Sequence, residues 1–349
     1  MKKYYTKACN FYYGNKSIEM LNKKKALSLN GNKLISFDSV QIITRDSSKV
    51  INISQIKNLG KILKKKILID LKQIKKKKKF SCLKFSHKPI LVGILNLTPD
   101  SFSDGGKFNK SGLALKRIKY LKSKGCNLID IGGESTRPGS KQINEKKEWE
   151  RIRDVLNKVK KINIKISIDT RKTFVMKKSF NYGVNIINDI SGLCFDESTV
   201  DFLKKTKLPF VLNHSKGTPE IMQNSPKYNN VLLDIYDFFE SKIKFLRKKG
   251  INHKNIILDP GIGFGKNLKH NITIIKDISI FHSLGFPIML GHSRKRFIKG
   301  ISNNNDSKTR IGGTIAGAIK AMLSGVQLLR VHDYNEIEQS LKVFNSLSE

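Results

Sequence analysis

What the chain has little of narrows it first. Its 349 residues hold one Trp, eight Pro and four Cys. Cys9, Cys82, Cys126 and Cys194 lie far apart with no C-x-x-C spacing, which argues against a disulfide frame or a zinc site and suits a reducing compartment. No apolar stretch nears the roughly 20 residues of a membrane span. Met1 to Asn10 carries Lys without a following apolar run, so no secretory signal is expected. These absences predict a cytoplasmic protein with no membrane partner. Acidic residues are scarce too: 28 Asp and Glu face 67 Lys and Arg, a formal charge of +39.

Such a balance invites a nucleic-acid partner. The excess, however, is nearly all Lys, spread over the whole chain beside abundant Asn and Ile, as an AT-rich genome would load its solvated faces. One true cluster, Lys75 to Lys79, closes a Lys-rich stretch that begins at Lys61; it reads as a solvated linker or turn. No nucleic-acid partner is expected. An anionic substrate would gain modestly in arrival rate from the field.

Two regions differ in texture. Residues 1–88 hold short apolar runs (Lys33–Phe37, Val40–Thr44, Ile67–Leu71) among Lys and Asn, with no convergent polar group; they read as a small α/β appendage of unassigned role. From residue 89 to 349 the pattern is regular. Eight short apolar runs (Ile90–Asn96, Asn127–Gly132, Lys165–Asp169, Asn185–Asp189, Leu208–His214, Asn255–Asp259, Pro287–Gly291, Val326–His332) alternate with amphipathic segments such as Glu145–Lys160, Tyr228–Lys249 and Ile311–Ser324. Gly125, Gly183, Gly250, Gly285 and Gly325 sit where helices should end. Eight β-α units predict an α/β fold, a (β/α)8 TIM barrel with a small N-terminal appendage. Asn96, Asp169, Asn188, Asp259 and His332 each fall at or just past the C-terminal end of a run, the rim where a TIM barrel holds its active site.

The first run leads into Asn96-Leu97-Thr98-Pro99-Asp100-Ser101-Phe102-Ser103-Asp104-Gly105-Gly106, the second into Asp130-Ile131-Gly132-Gly133-Glu134-Ser135-Thr136-Arg137-Pro138-Gly139. Both resemble the signature loops of the dihydropteroate synthase family. Later blocks agree in order: Ser167 to Thr170, Ile187 to Gly192, Leu258 to Lys266, Ser293-Arg294-Lys295 and Arg330-Val331-His332-Asp333. The resemblance spans about residue 90 to the C-terminus. It implies a transferase that joins a dihydropterin diphosphate to 4-aminobenzoate, with Mg²⁺ as cofactor and a homodimeric assembly.

The residue types suit that chemistry. A dihydropterin presents an aminopyrimidinone edge rich in N–H donors, which carboxylates accept in parallel and an amide can both meet and give to. By resemblance Asp169, Asn188, Asp259, Phe264, Thr136, Lys295 and Arg330 line the pterin pocket. Arg330 offers a planar fork to a leaving diphosphate, and His332, two residues on and on the same strand face, adds a donor. Asn96 resembles the family's Mg²⁺ ligand, and Mg²⁺ takes few protein ligands beside phosphate oxygens and water. Phe102, Thr136, Arg137, Pro138, Ser293 and Lys295 resemble the aminobenzoate site. Asp104 resembles a loop carboxylate that offsets positive charge developing at the pterin methylene. Asn96, Asp104, Lys295, Arg330 and His332 are thus the expected catalytic set.

Three positions depart from the family pattern: Asn213 stands before His214 where Met is more usual, Arg296 follows Lys295 in place of Ser or Thr, and Leu97 lies in the first loop. Two other readings stay open on the sequence. A pterin-binding methyltransferase of the related barrel type should lack the Ser-Thr-Arg-Pro loop and the Arg-Val-His pair, both present here. A basic nucleic-acid binder would show salt-dependent DNA retention without synthase activity.

Overall fold

The N-terminal residues build β1 (Tyr5–Tyr13), α1 (Gly14–Asn22), β2 (Leu27–Leu29), β3 (Asn32–Ile43), β4 (Ser48–Asn52) and α2 (Lys61–Lys75), with β3 pairing antiparallel to β1, β2 and β4. These come from a computed structural model that describes residues 3–98, 111–137, 139–217, 220, 222, 226–303 and 305–348. The two apolar runs read at Lys33–Phe37 and Val40–Thr44 are halves of one strand. Asp38 between them stays in the sheet because it accepts hydrogen bonds from Asn10 Nδ2 (2.7 Å), Tyr12 Oη (2.6 Å) and Ser39 Oγ (2.6 Å). The region therefore does contain a convergent polar cluster, contrary to the reading of its sequence. The run Ile67–Leu71 belongs to α2, whose Ile67, Leu71 and Ile74 recur at helical spacing and bury against β3 residues such as Phe37 and Val40.

From Ile90 the eight expected strands form: β5 (Ile90–Asn96), β6 (Leu128–Gly132), β7 (Lys165–Asp169), β8 (Ile186–Asp189), β9 (Phe210–Asn213), β10 (Ile256–Asp259), β11 (Met289–Leu290) and β12 (Leu328–Val331). All neighbours are parallel in the order β10-β9-β8-β7-β6-β5-β12-β11, and a parallel bridge between Leu258 and Ile288 joins the two ends. Helices α3 (Ser111–Ser123), α4 (Glu145–Val159), α5 (Thr173–Phe180), α6 (Thr199–Thr206), α7 (Val231–Lys248), α8 (Leu268–Asp277), α9 (Arg296–Ser302), α10 (Ile311–Leu323) and α11 (Tyr334–Ser348) follow the strands. The five glycines expected at helix ends all hold positive φ, from +74° to +89°.

Strand alternation sorts the barrel interior into layers. Val92, Leu128, Ile186, Val211, Ile257, Met289 and Leu328 form an apolar layer near the strands' N-terminal ends. Phe80 and Phe85 cap it from below, and Ser81 N–H donates to Lys254 O at 2.9 Å. The change of texture near Pro89 therefore does not mark the limit of barrel packing, since residues before it plug the barrel floor. Lys78, within the cluster read as a solvated linker, is buried as well. Its Nζ donates to Gln73 O (2.6 Å) and His282 O (3.2 Å), and burial pushes its pKa down to about 7. The rest of the N-terminal unit braces one flank: Tyr5 and Arg45 bind Asp237, Lys7 binds Asp277 at 2.5 Å, and Asn30 Nδ2 donates to Gly325 O at 3.0 Å.

Candidate active site

Two residues along each strand from the apolar layer, the same inward face turns polar: Asp130 on β6, Asn188 on β8, Asn213 on β9, Asp259 on β10 and Arg330 on β12. One further step brings Asn96, Asp169 and His332 to the mouth, with Asp169 paired in register to Asn188. Two inward positions are glycines, and this keeps the space between the polar groups clear. A Cβ on Gly132 would lie 3.5 Å from both Asn96 Oδ1 and Asp169 Cβ; one on Gly291 would lie 3.7 Å from Asp259 Oδ2 and 3.9 Å from Arg330 Cβ and Cδ.

Arg330 is the hub of this layer. Its Nε donates to Asp130 Oδ2 at 2.6 Å and its Nη2 to Asp169 Oδ2 at 2.8 Å. Asp130 Oδ2 also accepts Asn188 Nδ2 at 2.9 Å, which turns the Asn188 oxygen the other way. The opposite oxygens, Asp130 Oδ1, Asp169 Oδ1 and Asn188 Oδ1, are buried with no hydrogen-bond partner among the described residues. Burial raises the Asp169 pKa against the pull of Arg330, and burial pushes Asp259 up to about 6 although Gly261 N–H (2.8 Å) and Lys295 favour its charged form. Buried acceptors of this kind are costly unless a donor arrives, so the layer is built to receive N–H groups.

Across the mouth lie the cations. Lys295 follows β11, and its Nζ sits over the Phe264 ring, 4.3 Å from the centroid, with burial lowering its pKa to about 8. His332 is held by Ser293: the Ser293 Oγ accepts the His332 backbone N–H at 3.2 Å and lies 3.0 Å from Nδ1. A hydroxyl can accept twice and donate once, so this contact fits either neutral tautomer of the ring. Burial and then the charges of Arg330, Arg294, Lys295 and Arg137 hold His332 well below its usual pKa, so it is neutral near pH 7. Part of this positive charge is already paired, Arg294 with Asp333 (Nε to Oδ2 2.8 Å) and Arg330 with Asp130 and Asp169; with Lys295 and Arg137 beside them the mouth still suits an anion.

The second loop has a fixed neck. Glu134 Oε1 accepts Ile143 N–H at 3.0 Å and Lys172 Nζ at 2.8 Å, its Oε2 accepts Arg171 Nε at 3.1 Å, and Lys172 also reaches Glu148 at 2.6 Å, the four charged side chains all buried. Thr136 and Arg137 lie inside that loop, half-buried; Ser140 Oγ ties it further by donating to Ser135 O and Arg137 O. Phe102, Asp104 and Pro138 lie outside the described residues.

The structure thus brings together Asn96, Asp169, Asn188, Asp259, Phe264, Ser293, Lys295, Arg330 and His332 at one barrel mouth. It adds Asp130, which sequence reasoning passed over. A usable signal was there: a lone charge inside the apolar run Leu128–Gly132 must find a partner. Among the described residues no group of three or more His, Cys, Asp or Glu is placed to cage a metal, and no helix is long and apolar enough to cross a membrane.

Comparison with known proteins shows the family of the chain. Residues 92–332 match the family model described as pterin binding enzyme. A dihydropteroate synthase of Synechocystis is 39% identical over 258 residues, 74% of this chain and 89% of that protein. A Yersinia pestis dihydropteroate synthase crystallised with a sulfonamide drug complex superposes with a TM-score of 0.72 at 38% identity, covering 76% of this chain and 95% of that one. A Clostridium difficile dihydropteroate synthase crystallised in the presence of pteroic acid gives 0.70 at 34% identity, covering 76% and 98%. With the polar layer, the cationic mouth and these likenesses in agreement, the chain belongs to the pterin-binding enzymes, among the dihydropteroate synthases.

Proposed function

We propose that the chain condenses (7,8-dihydropterin-6-yl)methyl diphosphate with 4-aminobenzoate to give 7,8-dihydropteroate and diphosphate, with pterin at the polar layer and diphosphate at the cationic mouth. The observation that carries this is the row of unpartnered buried oxygens on Asp130, Asp169 and Asn188 below a rim of Arg330, Lys295, Arg137 and His332. Acceptors at the bottom suit the N–H groups of the aminopyrimidinone; cations at the top suit the leaving group.

Asp169, Asp259 and Asn188 hold the ring, and Lys295 reaches its carbonyl edge. Arg330 spends two of its five donors on Asp130 and Asp169, so it orients the ring as well as facing the diphosphate. The methylene C–O bond breaks, and its electron pair leaves with the diphosphate. The uncharged arylamine then donates its lone pair to the methylene carbon and sheds a proton. Charge compensation by Arg330, with His332 beside it and fixed orientation, supplies the acceleration without a covalent enzyme intermediate. Thr136 and Arg137, on their anchored loop, face the second substrate together with Ser293.

Mg²⁺, when bound, neutralises diphosphate charge. Asn96 would hold it through its side-chain oxygen, and a single neutral ligand at an open mouth fits an ion that keeps phosphate oxygens and waters. The test is diphosphate release measured with both substrates. With both substrates present, wild-type protein should form dihydropteroate as diphosphate is released, and Asp259→Ala should abolish pterin diphosphate binding in a folded barrel. Diphosphate release with no dihydropteroate formed from the two substrates, or unchanged affinity in the variant, refutes the assignment.

A further inference from the structure

Asn213 closes β9, and nothing in the reading above uses it. Its side chain faces the barrel interior because Val211, two residues earlier, belongs to the apolar layer. It stands in register with Asp259 on β10, and Val211 stands in register with Asn188 on β8, so its carboxamide joins the layer that holds the pterin-facing groups. The residue is 2% exposed, and its Oδ1 is buried with no hydrogen-bond partner among the described residues.

The surroundings cannot move to relieve it. Gly261 packs over the carboxamide with φ +68°, and a Cβ there would lie 2.9 Å from Asn213 Oδ1 and 2.1 Å from His214 O. His214 N–H is committed to Asp259 O at 2.9 Å. Lys266 Nζ closes the next layer out, 3.0 Å from His214 Nδ1 and donating to His214 O (3.1 Å) and Phe264 O (2.9 Å), so those groups satisfy one another. The backbone on both sides of Asn213 is therefore locked while its side chain is left open. A buried amide in that position costs stability unless something outside the chain completes it.

We propose that Asn213 is a further pterin-recognising residue, its carboxamide hydrogen-bonding the heteroaromatic edge of the pterin beside Asp259. This rests on the pterin site described under the proposed function. The chemistry separates Asn213 from its neighbours. Ionised Asp169 and Asp259 can only accept, and Asn188 gives one of its two amide N–H groups to Asp130 while its Oδ1 stays without a partner among the described residues. A pterin edge alternates N–H donors with ring-nitrogen and carbonyl acceptors, and Asn213 can serve both kinds.

The experiment compares wild type with Asn213→Leu, close in shape but without the amide, and with Asn213→Ser as a smaller variant. Dihydropterin diphosphate affinity is measured by calorimetry and thermal stability without ligand by a melting scan. The inference expects a loss of affinity of about tenfold or more in both variants, from one lost buried hydrogen bond and its desolvated partner. It expects the apparent KM for 4-aminobenzoate at saturating pterin to stay within about twofold. It also expects the ligand-free Leu variant to melt no lower than wild type, because an orphaned amide has been removed rather than a contact. A purely structural Asn213 would do the reverse, lowering the melting point and leaving affinity intact. Should Asn213→Leu fold poorly, the Ser variant and the wild-type side-chain amide signals decide: those NMR signals should move on pterin addition. Unchanged affinity or unmoved signals overturn the inference alone, whereas wild-type protein that binds no pterin overturns the assigned site together with it.

Discussion

Removing Asp130 tests the whole polar layer, because one oxygen of this side chain holds Arg330 and Asn188, two of the groups proposed to face the substrate. Asp130 Oδ2 lies 2.6 Å from Arg330 Nε and 2.9 Å from Asn188 Nδ2, and the side chain is 1% exposed against 17% for Arg330. In Asp130→Ala the guanidinium keeps Asp169 alone, and the Asn188 amide loses its acceptor. Breaking one partner of a buried pair costs about 3–5 kcal/mol; the remaining Asp169 contact and the partial exposure of Arg330 place this case at the lower end, about 3 kcal/mol. In a domain of this size that lowers Tm by roughly 5 °C or more. Freed of Asp130, Arg330 swings toward Asp169 and Asn188 loses the contact that fixes its rotamer, so pterin affinity should fall by at least about tenfold. Asp130→Asn should be milder in stability, since it keeps the shape, yet still weaken pterin because an amide cannot accept from both donors with a full charge. A melting scan and a calorimetric pterin titration read both effects. If Asp130→Ala changes neither, Arg330 and Asn188 are positioned by something else and the layer does not act as a unit.

Four other outcomes follow from the same geometry. Asp259 carries a folded-state pKa of about 6, above its unfolded value of 3.8, so it releases its proton late in the folded chain; its contribution to stability without ligand should fall as pH rises from about 4 to 6, while pterin affinity, which needs the carboxylate, should rise about tenfold between pH 5 and 8, with Asp169 steepening the change. Calorimetry showing affinity flat or increasing toward acid would contradict the role of both carboxylates. Lys172→Met leaves buried Glu134 and Glu148 without their shared cation and should cost about 3–5 kcal/mol by denaturant unfolding, with the loop neck at Ile143 loosened. A chain beginning at residue 77 should keep the barrel plug and melt cooperatively, whereas one beginning at residue 87 loses Phe80 and Phe85 and should aggregate or melt far lower, about 3–5 kcal/mol being at stake for each Phe. Chelating Mg²⁺ should weaken dihydropterin diphosphate binding while leaving a pterin without diphosphate unaffected, which parallel titrations would show.

The barrel was readable because its signals are local. Eight apolar runs bounded by turn residues, five glycines at helix ends and a polar residue after each of several runs depend only on near neighbours in sequence. Asp130 was not read, since its importance comes from β12, two hundred residues away, whose place beside β5 is settled only when the barrel closes. Phe80, Phe85 and Lys78 escaped for the same reason: they lie in a Lys-rich stretch with no periodicity, and burial comes from the floor of a barrel built later in the chain. Asp38 divided β3 into two apparent runs because its partners Asn10 and Tyr12 lie on another strand. Asp169, Asn188, Asp259, Lys295, Arg330 and His332 were legible as site candidates through resemblance in their motifs, while the contacts that bring them together needed coordinates.

The layering also explains why this barrel carries its cost where it does. A strand of four or five residues offers two or three inward positions, so an apolar layer, a polar layer and a rim are all that fit. Placing Asp130, Asn188, Asn213, Asp259 and Arg330 in the middle layer takes those positions out of hydrophobic packing and leaves oxygens without partners among the described residues. The apolar layer below cannot be thickened along the same strands; the helices around the barrel bury most of the apolar surface, with an addition from the N-terminal residues. Phe80 and Phe85 from beneath and Tyr5 against Tyr236 at the flank supply it. The N-terminal unit thereby adds burial beneath and beside a barrel whose middle layer keeps acceptors without partners among the described residues.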